Sequence, residues 1–156
     1  MTVRFACEKD IPQMNSLLYQ VERVHQQVRP DLFKEGAKKY TDNELKDMLK
    51  DKTKPIFAAV DENDVMKGYA FCVFQEHKGD NVLTDIKTLY IDDLCVDENC
   101  RGQHIGSVLY EAVKKFAKEQ GCYNVTLNVW ECNPSARKFY EKAGLKPYKT
   151  GMEVIL

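Results

Sequence analysis

The sequence from residue 94 to residue 107 reads Leu94-Cys95-Val96-Asp97-Glu98-Asn99-Cys100-Arg101-Gly102-Gln103-His104-Ile105-Gly106-Ser107. Its apolar start predicts the end of a strand, and its two glycines predict a turn that leads into a helix. A helix N-terminus presents unpaired N–H groups and the positive end of the helix dipole, so it attracts phosphate. Arg101 adds a permanent positive charge. The segment therefore predicts a strand–turn–helix unit that binds an anion, although a turn that only starts a helix fits this stretch equally well.

The residues on either side of this segment support the same arrangement. Downstream, apolar residues recur at helical spacing until Gly121, namely Ile105, Val108, Leu109, Ala112, Val113 and Phe116. Upstream, a strand over Thr88–Val96 carries Asp92 and Asp93 within an otherwise apolar stretch. Because side chains alternate along a strand, the two aspartates are predicted to face opposite sides. One of them should then point into any cleft beside the strand.

The rest of the chain supplies strand and helix patterns in alternation. Predicted strands are Val3–Ala6, Ile56–Val60, Gly68–Gln75, Val125–Val129, Leu145–Tyr148 and Met152–Leu156. Predicted helices begin at Glu8, at a Thr41-x-x-Glu44 capping box and at Asn133-Pro134, the last ending at Gly144. The resulting order, β-α-α-β-β-β-α-β-α-β-β, predicts an α/β fold with a mixed sheet. No linker or repeat interrupts it, so we expect one domain over residues 1–156.

Composition excludes several classes of protein. The chain of 156 residues has 23 basic and 24 acidic residues and a net charge of −1. A nucleic-acid-binding protein would normally show a basic patch, whereas the basic and acidic residues of this chain are spread through it in nearly equal numbers. We therefore expect no nucleic-acid binding. No apolar run approaches the ~20 residues of a membrane-spanning helix, and no signal peptide is visible at the N-terminus.

The six cysteines indicate a reducing environment. They form no CxxC pair and no Cys/His group at zinc-ligand spacing, so neither a disulfide scaffold nor a metal site is expected. Most lie in apolar strand-like runs and are predicted to be small buried hydrophobic residues. We therefore expect a cytoplasmic protein with reduced thiols. His25 and His77 are expected to be structural or on the surface.

Three motifs in order resemble the GNAT acetyltransferase family. The family signature, Gln/Arg-x-x-Gly-x-Gly/Ala, opens a helix after the fourth strand, and Arg101 and Gly106 match its first and last positions. Tyr90–Val96 is similar to that fourth strand, including an acidic pair. Residues 133–144, with Asn133, Ala136, Phe139, Tyr140 and Gly144, are similar to the family's asparagine–tyrosine helix. The resemblance runs from about Val3 to the C-terminus.

This resemblance implies a GNAT-type mixed, mostly antiparallel central sheet flanked by helices. It implies that the cosubstrate acetyl-CoA binds together with a primary amine of a small molecule or peptide, in a ternary complex. No metal ion is expected to take part. The acetyl group would then transfer directly. It also allows a homodimer. The implied cofactor-binding residues are Leu94, Cys95 and Val96 for pantetheine and the oxyanion, Arg101, Gly102, Gln103, His104, Ile105, Gly106 and Ser107 for pyrophosphate, and Asn133 and Ala136.

The resemblance also implies catalytic roles. Tyr140 matches the family's general acid, since a phenol stays protonated at neutral pH and can donate to sulfur; the alternative is a core tyrosine. Asp92 aligns with the acidic residue of polyamine-type members, and Asp93 is its neighbour, so either is a candidate base. A surface carboxylate or a strand-end cap is the alternative for each. Glu22 and Glu131 are weaker candidates.

His104 stands where the family usually has glycine. If the position requires a positive φ, histidine is among the residues that tolerate it. Alternatively, its imidazole donates to a phosphate.

Other functions are compatible with the sequence. One is a non-catalytic acyl-CoA-binding or sensor domain on the same fold. A nucleotide-binding module is disfavoured because neither a Walker lysine nor a third glycine occurs. For the acceptor, carboxylates could line a pocket for a cationic amine such as a polyamine, a diamine or an amino acid, or they could lie on the surface; they are Glu22, Asp31, Glu35, Asp92 and Asp93.

Overall fold

A computed structural model describes residues 1–156 of the protein. Its strands are β1 (Thr2–Phe5), β2 (Ile56–Val60), β3 (Met66–Glu76), β4 (Lys87–Val96) and β5 (Asn124–Leu127). Its helices are α1 (Ile11–Val28), α2 (Asp42–Lys50), α3 (Ile105–Glu119) and α4 (Pro134–Lys142), with short 3-10 turns at Glu8–Asp10 and Glu98–Cys100. The five strands form one sheet in chain order, antiparallel from β1 to β4 and parallel between β4 and β5. The predicted mixed, mostly antiparallel sheet is confirmed.

Helices cover both faces of this sheet. Met14, Leu17 and Leu18 of α1 and Leu45 of α2 pack on one face, with Phe71 of β3. On the other face, Ile105, Leu109 and Val113 of α3 pack with Ala70 and Leu89. All five residues of β2 are buried, which explains why its sequence, Ile-Phe-Ala-Ala-Val, is continuously apolar and does not alternate.

Local capping signals set the helix starts as predicted. The Thr41 hydroxyl accepts from the N–H of Glu44 (3.2 Å), and the Glu44 carboxylate accepts from the N–H of Thr41 (2.7 Å). At α4, the Asn133 side chain accepts from the N–H of Ala136 (3.1 Å). Each bond satisfies a donor that a helix end would otherwise leave unpaired.

A β-bulge in β4 overturns the predicted alternation of the two aspartates. Asp93 lies opposite Phe71 and Ile91 lies opposite Cys72, so Asp92 is the extra residue. An extra residue shifts the alternation by one. Leu89 and Ile91 therefore point towards α3, whereas Asp92 and Asp93 both lie on the face covered by α1 and α2. The prediction of opposite faces was wrong.

The pairing between β4 and β5 ends partway along β4, at the end of β5. Their pairing extends from Thr88–Asn124 to Ile91–Leu127 and then stops, although β4 continues to Val96. The side of β4 that faces away from β3 is thus unpaired over Asp92–Val96. Beyond Leu127 the chain no longer pairs with β4, and an opening lies between them beside the bulge.

The predicted C-terminal strands, Leu145–Tyr148 and Met152–Leu156, are not formed. Pro147 has no N–H to donate to a ladder, which removes a bond from the middle of the first segment. Tyr148, Met152 and Val154 are exposed, so no apolar face is buried to stabilise a strand. Both segments are irregular.

The expectation for the cysteines is correct only in part. All six thiols are free, but only Cys72 and Cys95 are buried, and Cys7 is exposed. None of the helices has the length and apolar composition needed to span a membrane.

Candidate active site

The turn before α3 has the features of an anion site. His104 adopts the left-handed conformation (φ 61°, ψ 13°), and Gly102 has φ 78°, so the backbone has a positive φ at both positions. From Gly102 to Ser107 no main-chain N–H has an acceptor in the protein; the first such bond runs from Val108 to the His104 carbonyl. The exposed Arg101 precedes these donors. The donors therefore fit a diphosphate, which would satisfy groups that the fold leaves unpaired.

Gly106 serves packing rather than backbone freedom. A Cβ at this position would lie 3.2 Å from Cζ of Phe139, closer than most real Cβ contacts. Phe139 belongs to α4, which also carries Asn133 and Tyr140. The absence of a side chain at Gly106 lets α3 and α4 approach, so the turn before α3 is held against the helix that carries Tyr140.

A cavity of about 300 Å³ lies in the opening between β4 and the end of β5. One wall is Ile91–Leu94 and the opposite wall is Leu127–Trp130. Side chains of α1 and α4, including Glu22 and Tyr140, complete the lining. The cavity thus brings together residues that lie more than a hundred positions apart in the sequence.

Asp93 lies at the wall of this cavity with a perturbed acidity. Its carboxylate accepts a hydrogen bond from the Tyr69 hydroxyl (2.7 Å). Burial raises the pKa of Asp93 to about 6, an effect that the Tyr69 bond and the nearby Lys39 charge only partly oppose. The carboxyl is therefore ionised at neutral pH yet basic enough to accept a proton.

The carboxylate of Asp92 is bound by residues of the loop between α1 and α2. Its carboxylate accepts a hydrogen bond from the Tyr40 hydroxyl and pairs with Nζ of Lys39 at 2.9 Å. Nζ of Lys39 also donates to the Asp92 carbonyl (3.2 Å). Asp92 thus anchors the end of this loop beside the cavity.

Tyr140 lines the cavity from α4, and its hydroxyl makes no hydrogen bond within the protein. Burial raises the pKa of this phenol, and the neighbouring negative charge of Asp93 adds to the effect. The hydroxyl is therefore protonated at neutral pH and free to donate to a ligand atom.

An aromatic wall of the cavity was missed by sequence reasoning. His25, Phe33 and Trp130 form it, with ring centroids 5.1 Å apart for His25–Phe33 and for Phe33–Trp130. His25, expected to be structural or on the surface, lines the cavity instead. Burial lowers the pKa of its imidazole, so His25 is neutral at pH 7. The available signal was Trp130, the only tryptophan, three residues after β5.

The remaining predicted residues divide between the cavity and the surface. Glu22, Asn133 and Ala136 line the cavity. Glu131 instead forms an ion pair with Arg137, and Asp31 forms one with Arg29, both at the surface. Glu35 is exposed and lies outside the cavity lining.

The three residues predicted for pantetheine lie along the unpaired stretch of β4. Leu94 lines the cavity, and Val96 packs against the α3 cluster. The Cys95 side chain points away, with Sγ 3.6 Å from the Leu17 carbonyl of α1. Cys95 can therefore serve a ligand only through its main chain.

Curated proteins match part of this chain. The chain is 36% identical over 59 residues to the glucosamine 6-phosphate N-acetyltransferase of Arabidopsis thaliana, covering 38% of each chain. It is 37% identical over 60 residues to that of Candida albicans, again covering 38% of each. The chain therefore spans little more than a third of the length of the curated relatives it matches.

Solved structures match over the whole chain. A crystal structure of a mutant protein from Bacillus halodurans has a TM-score of 0.95 at 28% identity, covering 100% of this chain and 99% of that one. An aminoglycoside acetyltransferase from a soil metagenomic sample, in complex with sisomicin, has a TM-score of 0.71 at 20% identity, covering 99% of this chain and 94% of that one. At that identity the second likeness concerns the fold alone.

The family comparison covers both walls of the cavity and the turn before α3. Residues 20–145 match the profile of the acetyltransferase (GNAT) family. That range contains the bulged strand β4, the turn at His104 and the helix of Tyr140, and the same motifs carried the resemblance in the sequence. The chain belongs to the GNAT acetyltransferase family.

Proposed function

We propose that this protein is an N-acetyltransferase that moves the acetyl group of acetyl-CoA directly to a primary amine. The observation that carries the proposal is the cavity between β4 and β5, which Asp93 and Tyr140 line beside the unpaired edge of β4. The free N–H groups of Gly102–Ser107 suit the pyrophosphate. The unpaired main chain of Leu94–Val96 suits the pantetheine arm, which would lie along it as an added strand.

Direct transfer in a ternary complex is favoured over a covalent acetyl-enzyme. The cavity lining contains no cysteine, serine or threonine that could act as a nucleophile. The nearest strand cysteine, Cys95, points away from the cavity, and burial raises the pKa of its thiol to about 12. Such a thiol is protonated at neutral pH and therefore unreactive.

Asp93 is the proposed base and Asp92 a positioning residue. Asp92 is already bound by Tyr40 and Lys39, whereas Asp93 accepts only the Tyr69 hydrogen bond and is ionised above a pH of about 6. Asp93 takes one proton from the ammonium, and the amine then attacks the thioester carbonyl. The carbon–sulfur bond breaks as the intermediate collapses. Tyr140 gives its proton to the thiolate and regains one from the acylated nitrogen through solvent.

We also propose a cytoplasmic location and a homodimeric assembly. The six free thiols support a reducing, cytoplasmic location. A homodimer is also proposed, and sedimentation velocity measures it directly.

Thiol release from acetyl-CoA, followed with a panel of amines, tests the activity. We expect amine-dependent release, with kcat/KM rising through a pH of about 6 because Asp93 must be ionised to accept a proton. Tyr140→Phe should lower kcat by about 10²-fold, the lower range for loss of a general acid. Asp93→Asn should abolish the rise of kcat/KM near pH 6. Asp92→Asn should keep that rise but move its midpoint to lower pH, because the negative charge of Asp92 helps to raise the pKa of Asp93.

Calorimetry with acetyl-CoA separates the alternatives. Binding without thiol release for any amine would favour a non-catalytic acyl-CoA-binding domain. If a folded protein bound no acetyl-CoA at millimolar concentration, both functions would be wrong.

A further inference from the structure

Some charged side chains of the cavity have partners within the protein, and one has none. Its charged lining residues are Glu22, Lys39, Asp92 and Asp93. Lys39 and Asp92 neutralise each other at 2.9 Å, and Asp93 accepts the Tyr69 hydrogen bond. Glu22 is half-buried on α1 and forms neither a hydrogen bond nor an ion pair. With His25 neutral, the uncompensated charge of the cavity is negative.

The aromatic wall lies beside this unsatisfied carboxylate. His25 follows Glu22 by three positions on α1, so both side chains lie on one helical face. Phe33 and Trp130 continue the wall, with their rings edge to face. Aromatic faces attract cations, and the attraction is stronger where water is excluded. A carboxylate without a partner next to three rings is therefore suited to an ammonium group.

The protein itself places an ammonium in this cavity. Nζ of Lys39 forms an ion pair with the Asp92 carboxylate at 2.9 Å and donates to the Asp92 carbonyl at 3.2 Å, at the bulge of β4. The bulge thus accommodates a primary alkylammonium through one charged and one neutral acceptor. Asp93, the next residue, offers a comparable carboxylate to an incoming amine.

We propose that the acceptor is a diamine or longer polyamine, with the reacting nitrogen at Asp93 and a second ammonium between Glu22 and the aromatic wall. This inference rests on the acetyl transfer proposed above. A phosphorylated amino sugar fits poorly, because its phosphate would face Glu22 while Lys39, the cationic side chain of the lining, is already paired with Asp92. Each ammonium of a diamine, by contrast, meets a carboxylate.

A matched pair of amines tests this. The measurement is kcat/KM for acetylation of 1,5-diaminopentane, of 1-aminopentane and of glucosamine 6-phosphate. We expect the diamine to exceed the monoamine by at least about tenfold, mainly through KM, since a charge-assisted contact of ~1.5 kcal/mol gives that ratio. Glu22→Gln should bring the diamine-to-monoamine ratio close to one. Glu35→Gln, at an exposed carboxylate outside the cavity, is the control and should keep the full ratio.

Failure of the diamine inference can be told apart from failure of the proposed acetyl transfer. Equal rates for the diamine and the monoamine in the wild-type protein would overturn the diamine inference and leave acetyl transfer intact, and so would a preference for glucosamine 6-phosphate. If no amine is acetylated, the proposed function is wrong. Calorimetric binding of the two pentylamines then decides the inference, since equal affinities would overturn it and tighter binding of the diamine, lost in Glu22→Gln, would support it.

Discussion

His104 holds a left-handed backbone conformation at the start of α3, although it carries a Cβ. Its side chain is exposed and makes no capping hydrogen bond, so nothing within the protein compensates for the strain. His104→Gly should therefore raise the free energy of unfolding by about 1 kcal/mol, the usual cost of a non-glycine residue in this region. Thermal denaturation of the variant measures this gain.

His104→Ala is the matched control, because it removes the imidazole and keeps the Cβ. If strain dominates, alanine should show none of the gain in unfolding free energy, and both variants should bind CoA about as well as the wild-type protein. If the imidazole instead donates to a phosphate, both variants should bind CoA at least about tenfold more weakly, in line with a lost charge-assisted hydrogen bond. That result would make His104 a cofactor ligand.

At the scale of elements, the contact between α3 and α4 links cofactor binding to the proposed acid. Gly106→Ala puts a methyl group 3.2 Å from the Phe139 ring, so Phe139 of α4 must shift by a few tenths of an ångström. We expect KM for acetyl-CoA to rise by about three- to tenfold, since small misplacements of positioned groups have large kinetic effects. Steady-state kinetics measures this.

The control for Gly106→Ala is Gly151→Ala, where an added Cβ meets no atom within 4 Å. That variant should leave KM unchanged. An unaltered KM in Gly106→Ala as well would contradict the proposed link between the turn and α4. The melting temperature should not fall in either variant, because alanine is the better helix former at position 106.

Most of these elements were predicted from local signals in the sequence. Features that depend on contacts between distant segments were not predicted. The capping box at Thr41 and the stop at Gly121 depend on neighbouring residues, so pattern reasoning found both. The bulge at Asp92 depends on how β4 pairs with β3, which no periodicity in β4 alone reveals. The terminal strands were predicted from apolar composition, but a strand also needs a partner edge and a face to bury.

The candidate site shows the same division. The turn before α3 and the helix that carries Tyr140 were predictable because each lies in a motif of contiguous residues. The aromatic wall was not, because Phe33 and Trp130 come together only when the loop after α1 packs across the end of β5. The hydrogen bond between Tyr40 and Asp92 likewise joins residues that lie 52 positions apart.

For the whole molecule, Asp93 links activity to stability. Its pKa is raised from 3.8 to about 6 in the folded protein, so ionisation destabilises the fold. The penalty is absent below the unfolded value and complete above a pH of about 6. Asp93→Asn should therefore raise the melting temperature at pH 7.5 and change it much less at pH 4, while activity is lost. Scanning calorimetry at the two pH values measures this, and an equal change at both would contradict it.

A single codon determines whether β4 contains its bulge. Asp92 is the single residue that shifts the phase of the strand, so that Leu89 and Ile91 meet α3 while Cys95 meets α1. An in-frame deletion of this one codon would leave every remaining pair between β3 and β4 opposite its present partner. The sheet and both cores would keep their registers, and the anchor for Lys39 and Tyr40 would be gone. One codon thus separates a regular strand from one that carries two adjacent carboxylates into the cavity.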